Sequence, residues 1–167
     1  MSERIRLQDI RISGQAMAAV QQALQSGQLR GGKLVEQFEQ AFAKQMSARE
    51  AVAVSSGSMA LYLVYLGLLH TDDEVLVPSF THVSTVSMIL LAGATPVLCD
   101  ILPDTWTIDP DDCAAKITPR TRAIAGVHLF GNACNIAALR QLAKQHGLWL
   151  IWDACQAHGT LYRDRDV

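Results

Sequence analysis

The spacing of apolar residues predicts two amphipathic helices in the first third of the chain. Across residues 13–26, apolar side chains recur three and four positions apart, and Gly27 follows as a helix terminator. Across residues 33–46, a second set of large apolar residues shares one helical face, with glutamate and lysine on the other. Both segments are therefore predicted to be helices.

After residue 50 the pattern changes to short apolar runs of strand length, at residues 51–54, 75–77, 96–99, 123–129 and 148–152. Most of these runs are apolar on both faces, as parallel strands are when helices cover both sides of a sheet. The segments between them are long enough for crossover helices. The alternation predicts an α/β fold with three layers, α-β-α, around a mostly parallel sheet.

Two crossover helices carry clear boundary signals. Asn135 is a predicted N-cap and Gly147 a predicted terminator of a helix between them. Asp109 followed by Pro110 marks another helix start, because proline fits the first helical position and aspartate accepts hydrogen bonds from free N–H groups. These signals predict helices at 135–146 and from Pro110 onward.

Composition narrows the class of protein. The 167 residues are 50% hydrophobic and carry a formal charge of −2, which fits one globular domain and gives no indication of a nucleic-acid partner. No apolar run is long enough to span a membrane, and no secretory signal is visible. The four cysteines, Cys99, Cys113, Cys134 and Cys155, include no CxxC pair, which predicts buried, reduced thiols rather than disulfides. We therefore expect a cytoplasmic protein without a membrane span.

Three junctions that follow predicted strands carry candidate chemistry, since ligands of parallel sheets bind at the carboxyl ends of the strands. The sequence Ser-Ser-Gly-Ser at 55–58 precedes an apolar helical segment and is either a phosphate cradle or a simple N-cap turn. Asp153 ends a strand and either holds a ring nitrogen protonated or caps a turn. His82 either lies against a planar ligand or is packed in the core.

Two other kinds of site are disfavoured. Residues 27–33 match the GxxxxGK spacing of a nucleotide-binding P-loop, but Leu34 replaces the magnesium-binding Ser or Thr, and a helix precedes the motif. Cys155, His158 and His128 carry metal-binding atoms, yet only the first two are close in sequence, whereas zinc sites usually combine two such pairs. No GxGxxG sequence follows a strand, so the dinucleotide fingerprint is missing as well.

Five stretches resemble, in order and spacing, the DegT/DnrJ/EryC1/StrS family of pyridoxal-phosphate-dependent sugar aminotransferases: GGKLVEQFEQAFA, VAVSSGSMAL, DEVLVPSFTHVSTVSMILLAGATPVLCDI, ITPRTRAIAGVHLFG and HGLWLIWDACQAHG. The resemblance implies the type I fold of pyridoxal-phosphate enzymes and pyridoxal 5′-phosphate as cofactor. It also implies that residues 1–167 form the N-terminal part of the cofactor-binding major domain. The rest of that domain and the small C-terminal domain are then expected to be absent.

The same resemblance assigns roles to five residues. Gly57 and Ser58 would bind the cofactor phosphate. His82 would stack on the pyridine ring, Asp153 would pair with the protonated ring nitrogen, and Gln156 would hydrogen-bond the ring hydroxyl. An aspartate in this position keeps the ring an electron sink during amino transfer.

No catalytic residue is assigned within the chain, because the family's Schiff-base lysine would lie beyond Val167. Lys33, Lys44, Lys116 and Lys144 do not match its place. An amine is needed to attach the cofactor and to move the substrate proton, so the chain alone is expected to be inactive.

The resemblance also implies substrates and partners. The full enzyme would transfer an amino group from an amino acid to a keto group on a nucleotide-linked sugar, as a homodimer with its active site at the subunit interface. Two alternatives stay open: a dehydratase of the same family that acts on nucleotide sugars, and a non-catalytic module that binds the cofactor or a partner.

Overall fold

The structure, a computed structural model, describes residues 10–167, in which helices and strands alternate over most of the length. In chain order the elements are α1 (Gly14–Ser26), α2 (Lys33–Gln45), α3 (Gly57–Leu68), β1 (Glu74–Pro78), α4 (Val83–Leu91), β2 (Thr95–Cys99), α5 (Pro110–Ala115), β3 (Thr121–Val127), α6 (Ile136–His146), β4 (Trp149–Asp153), β5 (Leu161–Tyr162) and β6 (Arg165–Asp166). A short 3₁₀ turn spans Leu129–Gly131.

The predicted helix boundaries follow from local backbone chemistry. Gly27 ends α1 and Gly147 ends α6 in the left-handed conformation, with φ of 68° and 63°. The side chains of Asn135 and Asp109 accept hydrogen bonds from the first turns of α6 and α5, and Pro110 begins α5. The predictions for these helix ends are confirmed.

Four parallel strands form the sheet in the order β2-β1-β3-β4. The chain runs from β1 outward to β2 and then returns to place β3 on the other side of β1. The order of strands therefore reverses between β1 and β3. Loops diverge at such a point and leave a crevice outside the carboxyl ends of the strands.

Helices cover both faces of this sheet. On one face Tyr65 of α3 and Ile89 of α4 pack against Val77 of β1. On the other face Leu139 of α6 packs in a cluster with Ile124 of β3. The predicted three-layer α-β-α arrangement is confirmed.

The strand predicted at residues 51–54 is wrong. This segment is irregular, and Val52 is 79% exposed. The backbone N–H of Ala53 donates to Oε1 of Glu39 at 2.7 Å instead of to a neighbouring strand. A strand needs a ladder partner, and within residues 10–167 none lies beside this segment, so apolar residues alone do not make it a strand.

The strand predicted at 123–129 begins earlier and ends earlier, as β3 (Thr121–Val127). The chain leaves the sheet at His128 and enters the 3₁₀ turn, where Phe130 has a φ of 55°. A left-handed residue cannot continue a strand. The early end of β3 places His128 and Leu129 in the turn beyond the sheet.

Several apolar surfaces are less covered than the sequence pattern suggests. Strands β2 and β4 lie at the two edges of the described sheet, and Leu98 and Trp149 on them are exposed. Helices α1 and α2 form as predicted, yet neither buries a residue among those described, and Met17 and Phe38 are exposed to solvent.

Residues 162–167, which show neither a helix nor a strand signal, contribute to a two-strand hairpin of β5 and β6.

The prediction of buried thiols is confirmed for Cys99, Cys113 and Cys134, which are buried and free. It is wrong for Cys155, which is free but exposed in the turn after β4. In the part of the chain that the structure describes, no helix has the length and apolar character needed to cross a membrane.

Candidate functional site

A cavity of about 260 Å³ opens at the carboxyl ends of β1, β3 and β4, where the strand order reverses. The five residues singled out from the sequence, Gly57, Ser58, His82, Asp153 and Gln156, all line it. The other lining residues are Thr81, Ser84, Val127, His128, Leu129 and Cys155. The fold thus brings together residues from four separate segments of the chain.

The start of α3 forms one wall of the cavity. Oγ of Ser56 accepts from the backbone N–H of Met59 at 3.2 Å, so the capping role anticipated for this turn is present. The N–H groups of Gly57 and Ser58 have no hydrogen-bond partner within residues 10–167. Free donors at the positive end of a helix are suited to an anion. Capping and anion binding are therefore compatible in this turn.

Gly57 allows α3 to approach the turn after β4. A Cβ atom at this position would lie 2.7 Å from Sγ of Cys155, which is closer than side chains pack. Partial desolvation of the sulfur first, and then the hydrogen bond and charge of Asp153, raise the pKa of the Cys155 thiol to about 11. The thiol is consequently protonated at neutral pH and contributes bulk rather than a nucleophile.

Asp153 ends β4 with its side chain only 8% exposed. Its Oδ2 accepts from the Thr85 hydroxyl at 2.9 Å, and its Oδ1 accepts from the backbone N–H of Cys155 at 3.2 Å. The fully buried Tyr65 hydroxyl has no hydrogen-bond partner, and burial, followed by the charge of Asp153, raises its pKa. Tyr65 is therefore a neutral neighbour of the carboxylate.

The orientation of the Gln156 side chain is set by the backbone. The N–H of Phe130 donates to Oε1 of Gln156 at 2.8 Å. Because this N–H can only donate, the oxygen of the amide must face it, and the NH₂ group is left to donate elsewhere. Phe130 holds this position with a φ of 55°, which is uncommon for a bulky residue.

His82 is an exposed residue at the mouth of the cavity, so the alternative of a packed core histidine is wrong. It is the N-cap of α4, and its Nδ1 accepts from the backbone N–H of Ser84 at 3.2 Å. The cap fixes the imidazole at the cavity edge and leaves Nε2 to carry the proton of the neutral ring.

His128 is fully buried beside the same cavity. Its Nδ1 accepts from the backbone N–H of Cys134 at 3.1 Å, and its ring stacks on Trp152 with centroids 4.8 Å apart. Burial lowers the pKa of His128, although the charge of Asp153 opposes the shift. The ring is therefore a neutral imidazole at physiological pH.

The metal-binding atoms noted in the sequence do not converge. His158 packs its ring against Phe42 with centroids 5.7 Å apart, whereas His128 is held by Cys134 and Trp152. Within residues 10–167 no three His, Cys, Asp or Glu side chains are grouped as a metal ion would require.

Sequence reasoning missed Thr81, Ser84 and Thr85, although the first two line the cavity and the third bonds to Asp153. The available signal was the spacing of Thr81 and Thr85, four residues apart after β1, which places both hydroxyls on one side of the chain as it enters α4. Apart from this spacing, the sequence does not distinguish Thr85, which lies in an apolar helix, from an ordinary core residue.

No lysine lines the cavity, and the described residues include all four lysines of the sequence. Lys116 is engaged elsewhere, because its Nζ donates to Asp112 at 2.7 Å and to the carbonyl of Leu98. The described cavity thus holds a carboxylate, an amide, an imidazole and free N–H groups, without a primary amine.

Solved structures of similar proteins share this fold. The S. venezuelae protein DesV, in complex with a ketimine intermediate, is 42% identical, with a TM-score of 0.85 over 90% of this chain and 41% of its own. DesI, determined in the presence of its TDP-sugar product, is 39% identical, with a TM-score of 0.80 over 90% of this chain and 38% of its own.

A third structure is the E. coli GDP-4-keto-6-deoxy-D-mannose-3-dehydratase with bound hydrated PLP. It is 28% identical to this chain, with a TM-score of 0.90 over 96% of this chain and 43% of its own. The chain therefore spans about two fifths of the length of the structures it matches. The fold is that of the type I pyridoxal-phosphate enzymes.

A family model covers almost the whole chain, from residue 11 to residue 167. The resemblance stated on sequence motifs is confirmed, and this chain belongs to the DegT/DnrJ/EryC1/StrS aminotransferase family.

Proposed function

We propose that this protein takes part in the pyridoxal-phosphate-dependent transfer of an amino group from an amino acid, such as glutamate, to a keto group on a nucleotide-linked sugar. The observation that carries the proposal is that Asp153 and the free N–H groups of Gly57 and Ser58 line one cavity. A helix start suited to an anion and a carboxylate in the same cavity match the phosphate and the protonated ring nitrogen of a phosphorylated pyridinium ring.

The donors at α3 fit the phosphate of the cofactor. Gly57 and Ser58 present unpaired N–H groups, and the hydroxyl of Ser58 adds a further donor at the same wall. The helix dipole contributes about half a positive charge at this end. We assign phosphate binding to these two residues.

Asp153 fits the ring nitrogen. It is nearly buried, and an ion pair at about 4 Å has a Coulomb energy of roughly 4 kcal/mol at an effective dielectric constant of 20. That interaction favours the protonated nitrogen, and the ring, when bound, supplies the electron sink for the substrate carbanion. Asp153 is proposed to hold that proton on the nitrogen.

Gln156 and His82 complete the contacts that the chain offers. The NH₂ group of Gln156, turned away from Phe130, is proposed to donate to the ring hydroxyl. The exposed imidazole of His82 is proposed to lie on one face of the ring. Val127 and Leu129 supply apolar walls.

The amine that attaches the cofactor and moves the substrate proton is proposed to come from residues other than those lining the described cavity. A homodimer with its active site at the subunit interface is part of the same proposal. DesI, with its TDP-sugar product, supports a nucleotide-linked sugar as substrate.

A second candidate function is the dehydration of a nucleotide-linked keto sugar with the same cofactor. It is favoured by the TM-score of 0.90, over 96% of this chain, to a dehydratase structure with bound hydrated PLP. Both reactions need the contacts of Asp153, Gly57 and Ser58, so these residues do not separate them.

The test is a product assay. The intact enzyme, including the residues that supply the amine, is incubated with pyridoxal phosphate, glutamate and a nucleotide-linked 4-keto-6-deoxy sugar, and mass spectrometry follows the sugar while 2-oxoglutarate is measured. The proposal predicts that 2-oxoglutarate forms in step with an amino sugar. A sugar that loses water without gaining nitrogen supports the dehydratase. Binding of the cofactor without either product supports the non-catalytic module.

A further inference from the structure

Thr85 is a fully buried residue near the start of α4, 68 positions from Asp153 in sequence. Its hydroxyl donates to Oδ2 of Asp153 at 2.9 Å. Thr85 is not among the residues that line the cavity, so it does not itself meet a ligand there. Any influence of Thr85 on a bound molecule must pass through Asp153.

The hydrogen bonds that link the Thr81 and Thr85 hydroxyls to Asp153 have a defined donor–acceptor direction. An ionised carboxylate only accepts, so the hydroxyl hydrogen of Thr85 is committed to Asp153. The Oγ1 atoms of Thr81 and Thr85 lie 3.1 Å apart, and this contact must therefore use the hydrogen of Thr81. The order is Thr81 to Thr85 to Asp153, and each donor in such a chain polarises the next.

The two carboxylate oxygens are held from two different elements. Oδ2 is held by Thr85 on α4, and Oδ1 is held by the backbone N–H of Cys155 in the turn after β4. The Tyr65 hydroxyl, whose pKa responds to Asp153, makes no hydrogen bond to it. Thr85 therefore supplies the only hydroxyl hydrogen bond to this carboxylate within residues 10–167.

We infer that Thr85 is a positioning residue, which holds the Asp153 carboxylate in the orientation that meets the ring nitrogen of the pyridine cofactor. This inference rests on the proposed function. Loss of the Thr85 hydroxyl frees Oδ2, and the carboxylate can then rotate about its last side-chain bond. The inference predicts a loss of affinity that depends on the ring nitrogen of the ligand.

The experiment uses two ligands that differ only in that nitrogen. Pyridoxal phosphate and its 1-deaza analogue, in which C–H replaces the nitrogen, are titrated against the wild type, Thr85→Val and Thr85→Ser. Valine keeps the shape and removes the donor, whereas serine keeps the donor. Thr107→Val is the matched control, because Thr107 is equally buried and bonds to Thr105 outside the cavity.

For Thr85→Val we expect about tenfold weaker binding of pyridoxal phosphate, the effect of losing a hydrogen bond to a charged group. Binding of the deaza analogue is expected to stay within about twofold of the wild type, and Thr85→Ser to restore the affinity for pyridoxal phosphate. Thr107→Val is expected to change neither. Thr81→Val, which removes the outer donor, is expected to cause a smaller loss, about threefold, again only for pyridoxal phosphate.

Equal losses for both ligands, or no loss for either, would overturn the inference. A thermal melt shows whether Thr85→Val is folded without ligand. If it is unfolded, the affinities for pyridoxal phosphate and the deaza analogue are compared in Thr81→Val instead. A wild-type protein that binds neither ligand contradicts the proposed function instead, so the two failures are distinguishable.

Discussion

The substitution Gly57→Ala adds a methyl group at the closest approach between α3 and the turn after β4. The new Cβ would lie 2.7 Å from Sγ of Cys155, whereas heavy atoms in apolar contact sit about 3.5–4.0 Å apart. The new Cβ and the Cys155 sulfur must therefore move about 1 Å further apart. Either the thiol rotates toward the cavity, or the start of α3 moves away from Asp153.

Both adjustments change the cavity between the start of α3 and Asp153, which are proposed to bind the two ends of the cofactor. Overpacking of this kind costs about 1–3 kcal/mol. If about half of that cost falls on the bound state, about 1 kcal/mol at the midpoint, the dissociation constant for pyridoxal phosphate rises about fivefold. The helix itself does not suffer, because alanine is about 1 kcal/mol better than glycine inside a helix.

The assay is a titration of pyridoxal phosphate followed by protein fluorescence, with wild type, Gly57→Ala, Cys155→Ala and the double variant. Cys155→Ala keeps the backbone N–H that donates to Asp153 and removes the sulfur that the new methyl group meets. It should bind like the wild type, and the double variant should recover to within about threefold of it. If the double variant binds as weakly as Gly57→Ala, the contact with Cys155 is not the cause of the loss. Wild-type affinity in Gly57→Ala would show that the close approach does not affect cofactor binding.

Two further predictions concern stability. In Gly126→Ala the added Cβ would lie 2.4 Å from the Trp152 ring on the neighbouring strand, and we expect urea denaturation to show about 1–3 kcal/mol of destabilisation. The control Gly67→Ala, with nothing within 4 Å, should be neutral or slightly stabilising. Hydrogen bonds, the largest from Thr118, hold the pKa of Glu74 below its usual range. Its contribution to stability is therefore complete above about pH 4.5 and is lost as the pH falls further. The urea concentration at the unfolding midpoint of the wild type should decrease as the pH is lowered below 4.5. The same midpoint should depend less on pH in Glu74→Gln.

Where the sequence predicted the fold well, the signal was local. Asp109 with Pro110, and Asn135 with Gly147, satisfy helix ends through bonds to neighbouring residues, so no tertiary information was needed. The segment 51–54 has apolar character but no strand partner within residues 10–167, and pairing is a tertiary property that an apolar run does not encode.

The candidate site was predictable in outline for a different reason. In a parallel sheet the carboxyl ends of all strands share one edge, so residues that follow strands, such as Asp153 and His82, had to lie near one another. Which contacts they make depends on side-chain direction across long sequence separations. Two such contacts are the hydrogen bonds from Thr85 to Asp153 and from Phe130 to Gln156. The sequence pattern does not predict either of them.

The cavity between the start of α3 and Asp153 is proposed to bind the cofactor. The decisive experiment is a crystal structure of the protein grown with pyridoxal phosphate. We expect phosphate oxygens within about 3.2 Å of the N–H groups of Gly57 and Ser58, and the ring nitrogen at a similar distance from the Asp153 carboxylate. A cofactor bound with its phosphate away from α3, or with its ring nitrogen away from Asp153, would contradict it.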